Sequence, residues 1–307
     1  MNTLSVVISA RNEEAKIERT LQAISWAGEI ILVDSDSTDK TVAIAKKFTK
    51  KIYKQPNDLM LNVNKNFGFT KATGDWILSL DADEVVSPEL AKEIQSVFRI
   101  THHASRITSP AGYWIPRKNI IFGKWIQHGL WWPDKQLRLF RRGNGRFPQK
   151  HVHEYLSVDG PTDSLIEPML HYNYETISQY LGKLDMLYTE NEVANLLTTH
   201  YQLVWYDAIR FPASDFLKVY FAQEGYKDGI HGLVLALLQS FYSLVVFAKL
   251  WEKKGFQEMS VSATDFDGEV AGASRQMAYW TATRRIEQTI NPVLKLWFRL
   301  IRKYVSS

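Results

Sequence analysis

The sequence of 307 residues predicts an α/β fold in which a mostly parallel central sheet carries helices on both faces. Two observations favour this fold class. Runs of β-branched residues bounded by polar residues alternate with segments whose apolar residues recur at helical spacing. The hydrophobic content of 45% is also large enough for a sizeable core. We therefore expect a globular chain whose polar strand ends carry the chemistry.

The first ninety residues alternate between predicted strands and helices. Leu4–Ser9 and Glu29–Asp34 are β-branched runs and are predicted strands. Residues 13–25 and 39–48 carry apolar residues at helical spacing and are predicted helices. A third helix is expected from about residue 62 to residue 72, and a buried strand follows at residues 75–80. Ser87 and Pro88 then begin a fourth helix, because serine caps helices and proline fits their first turn.

Composition excludes several kinds of site. The chain has no cysteine, which excludes disulfides, thiolate catalysis and cysteine-ligated zinc. The formal net charge of +4 is mild and by itself favours an acidic partner only weakly. The first residues lack the basic region of a signal peptide, so we expect the protein inside the cell.

Three polar clusters follow the predicted strands: SARNEE (Ser9–Glu14), DSDSTD (Asp34–Asp39) and DADE (Asp81–Glu84). Open α/β sheets bind ligands beyond the carboxyl ends of their strands, so these clusters are expected at one edge. Neighbouring carboxylates repel one another, and hard oxygen donors so placed favour Mg²⁺ or Mn²⁺. The chain lacks both a G-x-G-x-x-G after its first strand and a P-loop. A metal-bound diphosphate is therefore the predicted anion.

Three ordered motifs carry a resemblance to a known family. VVISARNEE, ILVDSDSTDKT and NFGFTKATGDWILSLDADE resemble, in order and spacing, the nucleotide-sugar domain of family-2 glycosyltransferases of the GT-A fold. The residues that would line the base and ribose of the nucleotide are Ser9, Arg11, Glu13 and Asp34. The resemblance also implies that Lys65 lies near the base or the phosphates, that Asp81 faces the ribose and the metal, and that Asp83 is the principal metal ligand. For Glu13, Glu14 and Asp39, capping of a helix N-terminus is an open alternative.

Sugar transfer with inversion also needs a carboxylate that takes the proton of the attacking hydroxyl. The candidates are Glu154 in HVHEYL and Asp134 in WWPDKQLRLFRR. Family-2 enzymes with a similar Arg-Leu-Phe-Arg and His-Glu arrangement place the base at the His-Glu position, so the resemblance favours Glu154. His171 is a candidate for a late metal or phosphate contact such as some GT-A enzymes use, with a satisfied core histidine as the alternative.

The composition changes near residue 205, so we predict a catalytic domain at residues 1–204 and a helical region at residues 205–307. Gly232–Ala248 has no charge but is short for a bilayer span of roughly 17–25 residues. It is therefore predicted to be a re-entrant or interfacial helix, with a buried core helix as the alternative. Residues 253–283 match no pattern and are predicted to form a surface loop.

The segment RRIEQTINPVLKLWFRLIRKYV (Arg284–Val305) predicts a basic amphipathic helix, since Glu287 is its only acid. Helices of this kind lie on anionic membrane surfaces. Nucleic-acid binding is the competing use of such a segment, but the apolar run that precedes it favours lipid.

The C-terminal half carries a second resemblance. FPASDFLKVYFAQEGYKDGIHGLVLALLQSFYSLVVFAKLWE is similar to the tail of bacterial lipopolysaccharide-core glucosyltransferases of the same family. The resemblance implies an inverting, Mg²⁺- or Mn²⁺-dependent transfer of a hexose, glucose from UDP-glucose, to a lipid-linked saccharide such as the lipopolysaccharide inner core. It also implies a peripheral or monotopic protein at the cytoplasmic face of the inner membrane, with no nucleic-acid partner.

Two other function classes stay open. LSLDADEV also fits the first motif of haloacid-dehalogenase-like phosphohydrolases, in which Asp81 would be the nucleophile. That family has this motif after its first core strand, whereas two βα units precede it here. A non-catalytic membrane adaptor is the second class, but it would not need three acid-bearing clusters at one sheet edge.

Overall fold

In the computed structural model, residues 3–56, 61–103, 109–148 and 155–306 are described. The chain divides into two units according to its internal contacts. Unit 1 consists of Met1–Ile121 and Trp132–Asn173, and unit 2 consists of Phe122–Trp131 and Tyr174–Ser307. The predicted catalytic-domain boundary at residue 204 stays a prediction.

The strands, in chain order, are β1 (Leu4–Ala10), β2 (Glu29–Asp34), β3 (Lys51–Lys54), β4 (Trp76–Asp81), β5 (Glu84–Val86), β6 (Gly112–Ile115), β7 (Arg117–Ile121), β8 (Lys124–Trp125), β9 (Gln136–Arg141), β10 (Gly145–Arg146), β11 (Ser157–Val158), β12 (Thr162–Ser164) and β13 (Met169–Tyr174). The α-helices are α1 (Ile17–Ala23), α2 (Thr41–Ala45), α3 (Leu61–Lys71), α4 (Pro88–His103), α5 (Ile177–Lys183), α6 (Thr189–Thr198), α7 (Asp207–Leu217), α8 (Ile230–Lys253), α9 (Ala263–Gln288) and α10 (Pro292–Ser306). Short π-helical turns occupy Leu184–Tyr188 and Lys218–Ala222, and a 3₁₀ turn occupies Gly225–Asp228.

The main sheet of unit 1 has the strand order β12-β6-β9-β4-β1-β2-β3. Strands β4, β1, β2 and β3 are parallel neighbours. Strand β9 is antiparallel to both β4 and β6, and β12 is parallel to β6. Most pairings are thus parallel, which confirms the predicted fold class.

Helices cover both faces of this sheet because successive side chains of a strand point to opposite sides. On one face, Val6 and Ile8 of β1 pack in a buried cluster with Leu21 of α1 and Leu90 of α4. On the other face, Val7 packs in a second cluster with Phe69 of α3 and with Ala72, the residue that follows α3. The sheet is therefore the middle layer of unit 1 and holds the strand ends in fixed positions.

A second sheet places β13 between β5 and β7. Strands β5 and β13 are antiparallel, and their register pairs Glu84 with His171. This pairing brings His171, which is distant in the sequence, close to Asp83 and Glu84 after β4.

The helices that follow β1 and β2 are shorter than predicted, because side chains in the preceding loops bind the backbone there. Glu14 N–H donates to Asp39 Oδ2 over 3.0 Å, and Lys40 N–H donates to Glu14 Oε2 over 2.9 Å. Asp39 Oδ1 also accepts from Thr41 N–H, the first residue of α2, over 2.9 Å. Asp39 thus binds the first backbone N–H of α2 from the position before the N-cap residue, Lys40, whereas Glu14 joins two loops.

In unit 2, the predicted surface loop at residues 253–283 is wrong, because α9 begins within it and continues to Gln288. The side chain of Ser262 caps α9 by accepting from Asp265 N–H over 3.1 Å. The predicted basic helix is also divided: Asn291 Oδ1 accepts from Val293 N–H over 2.9 Å and begins α10 separately. Among the described residues, α8 is long and apolar enough to cross a membrane, and 28% of its most apolar window is buried.

Candidate active site

The sheet register brings the strand-end clusters of unit 1 together. Ser9 at the end of β1 lies opposite Asp81 of β4, and Ala10 lies opposite Asp34 of β2. Parallel strands that are neighbours end at the same edge of the sheet. Ser9, Asp34 and Asp81, which are expected to bind the nucleotide, therefore lie at one sheet edge.

Asp81 is held between two cations. Lys65 Nζ of α3 lies 2.5 Å from its Oδ1, and Arg138 Nη2 of β9 lies 2.6 Å from its Oδ2. Burial opposes ionisation of Asp81, but Arg138 and Lys65 outweigh it and hold the pKa of this carboxyl well below its usual range. Asp81 is therefore an anion that only accepts hydrogen bonds.

Glu84 connects this pair to a second arginine. Its Oε1 accepts from Arg138 Nη2 over 2.7 Å and from Arg117 Nη1 over 3.1 Å, and its Oε2 accepts from Asp81 N–H over 3.0 Å. Burial lowers the pKa of Arg138, but Asp81 and Glu84 outweigh that effect and raise it above its ordinary value. The Glu84 side chain is fully buried, so these bonds satisfy a charge that water does not reach.

Asp83 has looser neighbours. Lys16 Nζ lies 3.4 Å from its Oδ2, and His171 Nε2 lies 3.6 Å from its Oδ1. The backbone on either side is fixed, since Thr20 Oγ1 donates to Ala82 O over 2.7 Å and Tyr172 N–H donates to Asp83 O over 3.0 Å. The carboxylate is thus rigidly placed, yet neither of these neighbours approaches at an ideal hydrogen-bond distance.

Asp134 lies beside Arg117, the arginine that also binds Glu84. Its Oδ2 accepts from Arg117 Nη2 over 2.6 Å and from Asn119 Nδ2 over 2.9 Å, and its Oδ1 accepts from Gln136 Nε2 over 2.9 Å. Burial raises the pKa of Asp134, but Arg117, Asn119 and Gln136 outweigh it and lower the pKa below its usual value.

Asn119 Oδ1 lies 2.6 Å from His171 Nδ1. Burial lowers the pKa of His171, and the charge of Asp83 opposes that shift.

The remaining predicted site residues have different surroundings. Asp34 is buried, and Ser37 N–H lies 3.4 Å from each of its carboxylate oxygens. Ser9 Oγ is a buried atom with no hydrogen-bond partner among the described residues. Arg11 is exposed, and Glu13 N–H donates to Thr41 Oγ1 over 2.7 Å. Glu154 lies outside the described residues.

Among the described residues, no group of three or more histidine, aspartate or glutamate side chains could hold a metal ion. Asp83 Oδ1 and His171 Nε2 nevertheless form a pair of donors, and the 3.6 Å between them suits a shared cation. Mg²⁺ is commonly held by only one or two protein groups together with substrate phosphates and water. The residues present therefore fit a divalent ion that arrives with a diphosphate.

Four residues of this cluster had no assigned part in the predicted site: Lys16, Arg117, Asn119 and Arg138. A signal for Arg138 exists in the sequence, because it lies within the apolar run QLRLFR of β9. A charge inside a strand that is buried on both faces requires an opposite charge. No comparable signal marks Asn119.

The chain is similar to known glycosyltransferases. Residues 5–151 match the family model described as glycosyl transferase family 2. A protein of Rickettsia bellii named "Uncharacterized glycosyltransferase" is 27% identical over 271 residues, covering 81% of this chain and 86% of that protein. The "Lipopolysaccharide core biosynthesis glycosyltransferase LpsC" of Rhizobium meliloti is 23% identical over 258 residues, covering 81% of this chain and 92% of that protein.

Among solved structures, S. aureus TarS 1-349 in complex with UDP-GlcNAc is 15% identical, covers 99% of this chain and 89% of that chain, and has a TM-score of 0.44. Residues 5–151 of this chain match glycosyl transferase family 2, which is a family of transferases.

Proposed function

We propose that the protein transfers a hexose, glucose from UDP-glucose, to a lipid-linked saccharide such as the lipopolysaccharide inner core, with inversion and with Mg²⁺ or Mn²⁺. The family match supports glycosyl transfer. The similarity to the lipopolysaccharide core biosynthesis glycosyltransferase of Rhizobium meliloti supports a lipopolysaccharide acceptor. The phosphohydrolase alternative has less support, because Lys65 and Arg138 occupy both oxygens of its would-be nucleophile, Asp81.

The observation that carries the proposal is the pair of donors formed by Asp83 Oδ1 and His171 Nε2, 3.6 Å apart. Lys16 lies beside Asp83, and Lys65 lies beside Asp81. A divalent cation held there would neutralise charge that accumulates on the departing diphosphate. The two lysines would stabilise the same charge from the protein side.

The nucleoside would lie along the ends of β1 and β2. Ser9 Oγ is a buried hydroxyl without a partner among the described residues, and such a group costs free energy unless a ligand or water bonds it. Asp34 is an acceptor for a ribose hydroxyl at the neighbouring strand end. Arg11 and Glu13 follow β1 in the loop that would close this side of the nucleotide site.

Glu154 is the proposed base. The competing candidate, Asp134, accepts hydrogen bonds from Arg117, Asn119 and Gln136, and its lowered pKa makes it a weaker proton acceptor. A carboxylate with so many fixed donors is also poorly placed to receive an acceptor hydroxyl.

Membrane association is proposed for unit 2. The exposed stripe of α8 contains Ile230, Leu237, Phe241 and Leu244, which disfavours a buried core helix. Helix α10 exposes an apolar stripe made of Val293, Trp297, Leu300 and Tyr304. All four charged residues of α10 are basic, namely Lys295, Arg299, Arg302 and Lys303. This combination fits the anionic cytoplasmic face of the inner membrane.

Replacement of Asp83 tests the proposal. Asp83→Ala should abolish manganese-dependent binding of UDP, because one of the two protein donors is lost; titration calorimetry with UDP and Mn²⁺ measures this. Asp75→Ala is the matched control, since Asp75 lies just before β4 at its other end and accepts from Thr3 N–H. Tight UDP binding and turnover by Asp83→Ala would refute the assignment. A panel of nucleotide sugars scored for hydrolysis then identifies the donor.

A further inference from the structure

We propose that Asp134, acting through Asn119, holds the ring of His171 in the tautomer that presents an unprotonated Nε2 to Asp83. Asp134 is then a positioning residue for the candidate cation site. This inference rests on the proposed function, because it assigns the residues that prepare one of the two metal donors. Asp134 and Asn119 both lie outside the three strand-end clusters, so the motifs of the sequence do not indicate the connection.

The carboxylate of Asp134 accepts hydrogen bonds from Arg117 and Asn119. Arg117 Nε and Nη2 lie 3.0 and 2.6 Å from its Oδ2, so a permanent cation keeps the carboxyl ionised. An ionised carboxylate only accepts hydrogen bonds. The amide group of Asn119 that lies 2.9 Å from the same oxygen must therefore be its NH₂.

The orientation of the Asn119 amide determines which of its atoms faces His171. With its NH₂ directed at Asp134, its carbonyl oxygen is the atom 2.6 Å from His171 Nδ1. A carbonyl oxygen cannot donate, so Nδ1 must carry the hydrogen. Asn119 is 1% exposed and His171 is 8% exposed, and bulk water therefore does not compete for this short bond.

The other ring nitrogen of His171, Nε2, lies beside Asp83. A neutral imidazole with its hydrogen on Nδ1 has a lone pair on Nε2. That lone pair lies 3.6 Å from Asp83 Oδ1, so two acceptors face each other across a gap that suits a cation. Histidines that bind metals commonly donate their other N–H to a carbonyl or carboxylate, which fixes ring orientation and tautomer. Asn119 supplies the carbonyl here, and Asp134 orients Asn119.

Removal of Asn119 is the direct test. Asn119→Leu keeps the side-chain size but removes both hydrogen bonds, and it should weaken Mn²⁺ binding in the presence of UDP by about 10–100-fold. Titration calorimetry measures the affinity. Asn144→Leu is the matched control, because Asn144 donates to Asp159 O in a turn of unit 1, and it should leave the affinity unchanged. Asp134→Asn should give an intermediate loss, since the new amide can still accept from Asn119.

A second measurement needs no metal and no folded variant of Asn119. Nitrogen-15 NMR of the wild-type imidazoles, with His171→Gln used to assign the signal, should show His171 with its hydrogen on Nδ1. A hydrogen on Nε2, or an unchanged Mn²⁺ affinity in Asn119→Leu, overturns the inference. Wild-type protein that takes up no manganese overturns the proposed function instead, and the tautomer of His171 then still decides whether the hydrogen-bond chain acts as described.

Discussion

Asp134 and Glu154 compete for one role, that of the base which deprotonates the acceptor hydroxyl. Glu154→Gln should preserve UDP binding and reduce transfer by a factor on the order of 10²–10⁴, the contribution typical of general base catalysis. Asp134→Asn should mainly weaken metal binding, because Asp134 orients Asn119. Donor affinity and transfer rate, measured separately for both variants, distinguish the two roles. If Asp134→Asn loses transfer with donor and metal affinity intact, the base is Asp134.

Glu29 gives unit 1 a predictable response to acid. It accepts from Ser5 Oγ, from Lys51 Nζ and from Thr73 N–H, the last over 2.8 Å. Burial raises its pKa, but these hydrogen bonds outweigh burial and lower the pKa from 4.5 to about 2. Because the folded state binds this proton less readily than the unfolded state, the stabilisation is complete above pH 4.5 and is lost as the pH falls towards 2.

The corresponding test uses urea unfolding across that acid range. Glu29→Gln should remove part of the decline in the free energy of unfolding with falling pH and should lower stability at neutral pH. Glu18→Gln is the control, since Glu18 is half exposed and its partner Lys47 Nζ lies 3.5 Å away. An unchanged pH dependence in Glu29→Gln would contradict the assigned hydrogen bonds.

At the scale of single elements, the position of α3 depends on Gly68. A Cβ at Gly68 would overlap Val7 Cγ1 of β1 and lie 3.0 Å from Val33 Cγ2 of β2. Gly68→Ala should therefore lower the free energy of unfolding by about 1–3 kcal/mol, the usual cost of overpacking. Because α3 also carries Lys65, UDP affinity should fall as well.

Gly182→Ala in α5 is the matched control for this prediction. No atom lies within 4 Å of a Cβ added there, so the substitution should be neutral or stabilise by up to about 1 kcal/mol. Thermal and urea unfolding of both variants provide the comparison. Equal stability of Gly68→Ala and wild type would show that α3 can move away from the sheet.

Elements whose pattern is local were predictable from the sequence. Strands β1 and β2 follow from β-branched runs and β4 follows from a short apolar run, and the acids that end β2 and β4 lie at one edge of the sheet. The antiparallel insertion of β9 beside β4 was not predicted, because strand order depends on distant pairing. Helix α9 was missed because it contains Gly268 and Gly272, two poor helix formers, and its amphipathic pattern is weak.

The candidate site was also only partly predictable from the sequence. Asp81 and Asp83 were predictable site residues because they are paired acids at the end of a buried strand. The part of Lys65 was predicted from the family motif. Asn119 and Arg117 could not be found in this way, because β7 reaches the acids only through tertiary pairing with β13. Site residues at the end of a single strand can be predicted from the sequence. Residues such as Arg117 and Asn119, which contact the site from another strand, can be identified only from the folded structure.

At the scale of the whole molecule, α10 should control attachment to lipid. Replacing Lys295, Arg299 and Lys303 by glutamate should weaken binding to phosphatidylglycerol vesicles, since each cation near an anionic surface contributes about 1 kcal/mol. Vesicle co-sedimentation measures the loss, and slow hydrolysis of the donor should continue. Ile166→Glu is the control, because Ile166 is 82% exposed but lies in unit 1. Unchanged sedimentation of the triple variant would contradict the proposed attachment.

The ion pair between Arg138 and Asp81 spans 57 positions of the chain. During translation, β4 is therefore made well before the strand that supplies its counter-charge and its neighbour on that side. A nascent chain that stops before β9 exposes an unpaired strand edge next to acids without their arginine, which is the kind of edge that invites aggregation. The main sheet of unit 1 can be completed only after β9 has left the ribosome. N-terminal fragments that end before β9 therefore lack a complete fold.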